Sequence, residues 1–213
     1  MAAKQFWSDP YQSVQHTRIH SVDGDAVTLE STIFYAFSGG QESDSGTIGG
    51  VPVLRAEKAG KEMVYTLPEG HGLLPGQEVE VTIDWPRRYR LMRLHFAAEL
   101  VLELAYRALP SAEKVGAHIA EDKARLDFAW PESVSPLLPQ LAEQANAIIA
   151  SDLAIRSEFE DEANERRYWE IDGFSRVPCG GTHVRRTGEI GPIRLKRNNI
   201  GRGKERIEIY LDS

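Results

Sequence analysis

The change of pattern at Trp85-Pro86 limits what this chain can fold into more than any other feature. From His16 to Ile83, short apolar alternations are broken by turn-forming clusters: Ser-Val-Asp-Gly-Asp, Ser-Gly-Gly-Gln, Ile-Gly-Gly, Pro-Glu-Gly-His-Gly and Leu-Pro-Gly-Gln. Period-two alternation punctuated this often reads as short strands in a small all-β unit. Arg90 to Leu109 then runs without Gly or Pro, and Leu91, Leu94, Ala98, Val101, Leu102 and Ala105 recur at helical spacing. That spacing predicts one long helix, ended by Pro110. The expected organisation is a β-barrel-like domain over residues 1–85 and a second domain over residues 86–213.

The second part mixes periods. We expect an extended piece from Ala117 to Phe128, a helix from about Ser135 to Ser151, a strand from Asp152 to Phe159 and a short charged helix from Asp161 to Tyr168. Ile193 and Leu195, then Ile207, Ile209 and Leu211, alternate as two strands joined through Asn-Asn-Ile-Gly-Arg-Gly. The fold class is therefore α+β: a small β-barrel-like domain, then an α/β domain with a mostly antiparallel sheet and a long helix.

Composition excludes several classes of function. A hydrophobic content of 41% over 213 residues fills a globular core. The net charge of -7 argues against coating nucleic acid nonspecifically, which draws its strength from many cation-phosphate contacts. A local docking face stays open, because eight basic residues lie between Arg185 and Arg206 against Glu189 and Glu205, a net +6. Arg87, Arg88, Arg90 and Arg93 form a second cluster. Taken alone, each cluster reads first as a solvated face. The opening residues lack an apolar signal core and no stretch reaches the roughly 20 apolar residues of a membrane span, so a cytosolic protein is expected. No glycine-rich segment ends in the Lys-Ser/Thr of an ATP-binding P-loop.

A single cysteine cannot close an intrachain disulfide, so Cys179 is a small buried residue, a reactive thiol or a metal ligand. In Cys179-Gly180-Gly181-Thr182-His183 a thiol and an imidazole, both good zinc ligands, lie four residues apart in a glycine loop. His95 and Glu99 stand at i and i+4 of the predicted helix and project from one face. Together the pairs offer one thiolate, two imidazoles and one carboxylate, a tetrahedral set or three ligands plus water. Zinc with an open position polarises a carbonyl or brings bound water towards a pKa of ~7, which suits ester hydrolysis. Glu99 serves either as ligand or as general base, and Thr182 either offers its hydroxyl to a substrate or satisfies its own loop. Trp85 and Tyr89 read as packing or as a stacking platform for a base.

The run from Cys179 through His183-Val-Arg-Arg-Thr-Gly188-Glu189-Ile190-Gly191 resembles the editing domain shared by alanyl- and threonyl-tRNA synthetases. Asp84-Trp85-Pro86-Arg87-Arg88 through Met92 and His95, Gly116-Ala-His118, Arg125-Leu-Asp127-Phe128 and Asn146 also resemble positions of that family. Thr32-Ile-Phe34-Tyr35-Ala-Phe-Ser38-Gly39-Gly40-Gln41, followed by Asp44, Ser45 and Gly46, is similar to the alanyl enzyme's glycine-rich segment. With no room for an adenylate-forming domain, the chain looks like a medium-length member of the free-standing AlaX editing proteins.

The resemblance implies hydrolysis of mischarged tRNA(Ala), seryl and also glycyl, with one zinc per chain held by His95, Cys179 and His183. Glu99 stands where the family has its second helix histidine. Implied substrate-side residues are Ser38, Gly39, Gly40, Gln41, Gly180 and Gly181, with Glu99 and Thr182 as candidate catalytic groups. Arg87, Arg88, Arg185, Arg186, Lys196, Arg197 and Lys204 are the candidate tRNA contacts. Two other readings keep the fold: a noncatalytic tRNA-binding homologue with a degenerate metal site, and a metal-dependent hydrolase of another small aminoacyl substrate.

Overall fold

Antiparallel sheets and one long helix form the framework of the protein, seen in a computed structural model that describes residues 2–201 and 203–212. It divides into two compact units, Met1–Tyr89 and Arg90–Ser213. In the first unit seven strands form one antiparallel sheet in the order Val51–Pro52, Gly46–Ile48, Glu78–Ile83, Val14–Asp23, Ala26–Leu29, Glu62–Thr66 and Arg55–Ala59. The two outermost strands are neighbours in sequence, joined only through Val53 and Leu54. Three residue steps span at most about 11 Å, whereas six strand spacings laid flat cover about 29 Å. The sheet must curl, and it forms a half-barrel around Ile19, Val27, Leu29, Phe34, Tyr65 and Val81.

The long helix runs from Trp85 to Ala108, five residues earlier than its uninterrupted apolar pattern predicts. Asp84 explains the early start: its Oδ1 accepts from the Arg87 amide at 3.1 Å. Pro86 fits because the first turn of a helix has no use for its missing N–H. From Leu91 to Ala105 the helix is buried on nearly every side, so apolar residues surround it.

The second unit holds two further sheets, both antiparallel. One has four strands in the order Glu113–Ile119, Ala124–Ala129, Lys204–Leu211 and Ile193–Asn199. The expected extended piece is thus a hairpin, and the alternating tail pairs Leu195 with Ile209 and Arg197 with Ile207. A helix at Leu138–Ala150, led in by a 3-10 turn at Ser135–Leu137, buries Leu141, Ala145 and Ile149. Its Asn146 donates to the Ile193 carbonyl and accepts from the Ile193 amide, each at 2.9 Å.

The other sheet joins Arg156–Asp161, Arg166–Ile171 and Ser175–Pro178. This corrects the short charged helix expected from Asp161 to Tyr168. Arg167, Trp169 and Ile171 are buried while their neighbours are not, a period-two pattern that charge content had masked. Glu165, at φ 57°, supplies the left-handed residue of the turn between the first two strands.

Candidate metal centre

The three-stranded sheet and the long helix bring together residues far apart in sequence. Cys179 follows directly on the Ser175–Pro178 strand, and its amide extends the ladder by donating to the Arg167 carbonyl at 2.9 Å. The loop then turns so that the His183 Nε2 lies 3.3 Å from the Cys179 Sγ. His95, one helical turn before Glu99, places its Nε2 3.5 Å from the same sulfur. The ligand atoms of His95, Cys179 and His183 all lie within 4.8 Å of one another. His95 and His183 are buried and Cys179 is half-buried.

These distances suit zinc. Tetrahedral bonds of about 2.0–2.1 Å to nitrogen and 2.3 Å to sulfur put neighbouring donors roughly 3.3–3.6 Å apart. Of the two sulfur-nitrogen separations, 3.5 Å matches such an edge and 3.3 Å is slightly shorter than the roughly 3.5–3.6 Å expected between sulfur and nitrogen. Surrounding side chains orient the rings: the Ser157 hydroxyl lies 2.9 Å from His183 Nδ1, leaving Nε2 to face the sulfur. Phe96 meets the His183 ring edge to face at 5.4 Å.

Glu99 stands beside the trio. Its Oε1 is 3.2 Å from His95 Nε2 and 3.4 Å from Cys179 Sγ, and its Oε2 accepts from the Trp169 indole at 3.0 Å. Burial works to lower the His95 pKa, but the Cys179 and Glu99 charges outweigh it and hold the imidazole above its ordinary value. Burial likewise opposes ionisation of Glu99, and His95 overcomes it, keeping the carboxyl below its ordinary range. Burial, followed by the charge on His95, holds His183 well below the ordinary histidine value. Before an ion arrives, His95 is therefore the ring that carries a second proton.

The remaining candidates distribute as follows. Gly180 is exposed, and a Cβ there would meet nothing within 4 Å; Gly181 and Thr182 are buried. Ser38 to Gln41 form a tight turn in the first unit, with reciprocal backbone bonds of 3.2 and 3.0 Å. Gly39 and Gly40 have φ of 61° and 88°, as a turn with two left-handed central residues requires. Gln41 is buried.

Arg88 needs correction as a tRNA contact. It is fully enclosed, with Nε 2.7 Å from Asp44 Oδ1 and its other nitrogens on Asp44 and on the Pro10 and Ile33 carbonyls. Arg87 is occupied with Glu42 and the Ser43 carbonyl. Arg90 and Arg93 bond the Glu121 and Ile190 carbonyls, so the upstream cluster is spent on the protein itself. Trp85 and Tyr89 stack on each other at 5.4 Å, with Tyr11 against both. In the tail, Arg197 pairs with Glu205 and Arg186 with Asp152, while Arg185, Lys196 and Lys204 are exposed. Arg202 lies outside the described residues.

Trp169 and Ser157 are the site residues that sequence reasoning missed. The alternating Arg167, Trp169 and Ile171 is the signal that would have placed the indole on the buried face. No helix among the described residues is long and apolar enough to cross a membrane.

Comparison with known proteins agrees with this arrangement. Residues 167–208 match the threonyl and alanyl tRNA synthetase second additional domain. The alanyl-tRNA editing protein AlaX-M of Pyrococcus horikoshii is 36% identical, over 100% of this chain and 99% of that protein. AlaX-M of Saccharolobus solfataricus is 32% identical, over 97% and 98%. The alanine--tRNA ligase of Methanopyrus kandleri is 37% identical over 88% of this chain, which spans 23% of that ligase. Relatives matched from end to end at such identity place this chain in the AlaX-M family of alanyl-tRNA editing proteins.

Proposed function

We propose that this protein hydrolyses the ester of mischarged tRNA(Ala), seryl and also glycyl, with zinc held by His95, Cys179 and His183. The observation that carries the reading is the donor trio at zinc-like spacing in a chain related along its whole length to AlaX-M proteins. Bound zinc supplies Lewis-acid polarisation of the ester carbonyl or an activated water. The protein's residues do the rest. Ser157 fixes the His183 tautomer, and Glu99, ionised at neutral pH, is the candidate acceptor for a proton from attacking water if it does not ligate. Gly180 keeps space open beside Cys179 for the aminoacyl group, and buried Thr182 is the candidate hydroxyl contact below it.

The RNA docks, in this reading, on the exposed face of the four-stranded sheet and the adjoining loop. Arg194 lies 4.2 Å, Lys196 5.5 Å and Lys123 5.8 Å from the Tyr210 ring centre. On that face Asp127 and Glu208 are buried beneath their cation partners, while the more exposed Asp212 pairs with Arg194. Lys204 is exposed on the last strand of that sheet, and Arg185 and Arg186 are exposed in the loop after His183.

The deciding experiment measures metal content and seryl-tRNA(Ala) deacylation on the same samples of the natural protein and Cys179→Ala. One zinc per chain with turnover, and loss of both in Cys179→Ala, is the expected result. Stoichiometric tRNA binding without deacylation would instead identify a noncatalytic homologue. Hydrolysis that persists on a small aminoacyl ester lacking the RNA, with little salt dependence, would move the substrate class away from tRNA.

A further inference from the structure

The helix histidine expected at position 99 is a glutamate here, and the structure contains a feature matched to that exchange. Trp169 is fully buried on the middle strand of the three-stranded sheet. Phe96 meets its ring edge to face at 5.1 Å, Phe174 lies nearly parallel to it at 6.5 Å, and Arg107 caps Phe174 at 4.3 Å. A ring packed in this way has no freedom to turn, so the direction of its N–H is set by the core. That N–H points at Glu99 Oε2, 3.0 Å away. The other oxygen is left 3.2 Å from His95 Nε2 and 3.4 Å from Cys179 Sγ. A four-coordinate zinc site requires donor edges of about 3.3–3.6 Å; the distance to Cys179 falls in that range and the distance to His95 is just short of it.

We propose that Trp169 is a positioning residue that makes Glu99 a single-oxygen fourth ligand, by holding Oε2 and presenting Oε1 to the donors of His95 and Cys179. The inference rests on the metal reading above and adds the reason for a carboxylate at this place. An indole nitrogen is a donor only, and when buried it needs an acceptor. A carboxylate satisfies it with one oxygen and ligates with the other. A neutral histidine that lends one ring nitrogen to a metal carries its proton on the other. In position 99 that proton would meet the Trp169 N–H donor to donor. Trp169 therefore selects glutamate over histidine, and residues 99 and 169 form a matched pair.

The test measures zinc affinity by competition with a chromogenic chelator, together with the absorption spectrum of the Co2+-loaded protein. The variants are Trp169→Phe, Glu99→Gln, Glu99→His and the double change Glu99→His with Trp169→Phe, each checked for cooperative thermal unfolding. Trp169→Phe is expected to weaken affinity by about 10- to 100-fold, the usual effect of losing a group that orients a ligand. Glu99→Gln alters the Co2+ ligand-field bands, and Glu99→His binds more weakly alone than when combined with Trp169→Phe. Recovery in the double variant separates a mismatched pair from a damaged core, since the double variant carries the same cavity as Trp169→Phe. The proposal is overturned if Trp169→Phe keeps the natural affinity and spectrum, or if Glu99→His binds as tightly alone as in the double variant. Metal uptake that is lost in Cys179→Ala but indifferent to Trp169 removes this pairing and leaves the trio standing. No uptake by the natural protein removes the trio and the pairing with it.

Discussion

Arg88 and Asp44 are both fully enclosed, so each depends on the other for its charge. Removing one partner leaves an uncompensated charge in the interior, which costs about 3–5 kcal/mol. Arg88→Ala should therefore lower the urea midpoint strongly, and replacing both residues by apolar ones of similar volume should cost less. At the metal centre, the proton on His95 must leave before the ring ligates. Zinc uptake near neutral pH should release about one proton from that ring, and affinity should rise with pH. Calorimetric titration in buffers of different ionisation enthalpy reads the proton count. A Cβ on Gly180 would meet nothing within 4 Å, so Gly180→Ala should fold normally, and under the proposed function it should lose deacylation because the methyl fills the space proposed for the aminoacyl group. The sequence made Cys179, His183 and His95 legible through residue type and spacing. It hid Ser157 and Trp169 because their roles come from strand pairing: the register sets Ser157 opposite Trp169 on neighbouring strands. Arg88 misled for the same reason, since its partner is 44 positions away.

Among the elements, the long helix and the curled sheet were readable because each shows one period over many residues. The start of the helix was not, because Pro86 was weighed as a boundary when Asp84 makes it a first-turn residue. The Arg166–Ile171 strand was hidden by charged residues on its exposed face. Gly46 has no room for a side chain: a Cβ there would lie 2.0 Å from the Thr82 carbonyl oxygen. Gly46→Ala should force the Gly46–Ile48 strand off its neighbour and destabilise by about 1–3 kcal/mol or more, measurable by chemical denaturation. In the four-stranded sheet, hydrogen bonds from Arg197 and Lys123 hold Glu205 and Glu208 below their ordinary value of 4.5. The unfolded chain binds protons at these groups more readily, so their stabilisation is present above pH 4.5 and is lost as pH falls below it. Acid titration followed by circular dichroism should show that loss shrink in Glu205→Gln and Glu208→Gln.

At the scale of the whole molecule, the donor trio lies within residues 90–213, so zinc should stabilise chiefly that unit. Saturation at 100 times the dissociation constant adds about 2.7 kcal/mol. Hydrogen exchange with and without chelator should place the gain in protection around the three-stranded sheet and the long helix from Arg90 onward. Equal gains in the half-barrel would contradict that localisation. The helix itself begins before residue 90, with Asp84 as its cap and Arg88 locked into the first unit. A gene fragment cut at the boundary between the units would open inside a helix and discard the turn that starts it. Recombination therefore has no clean seam here. The match to the Methanopyrus kandleri ligase, which covers 88% of this chain and so reaches into both units, agrees with that expectation.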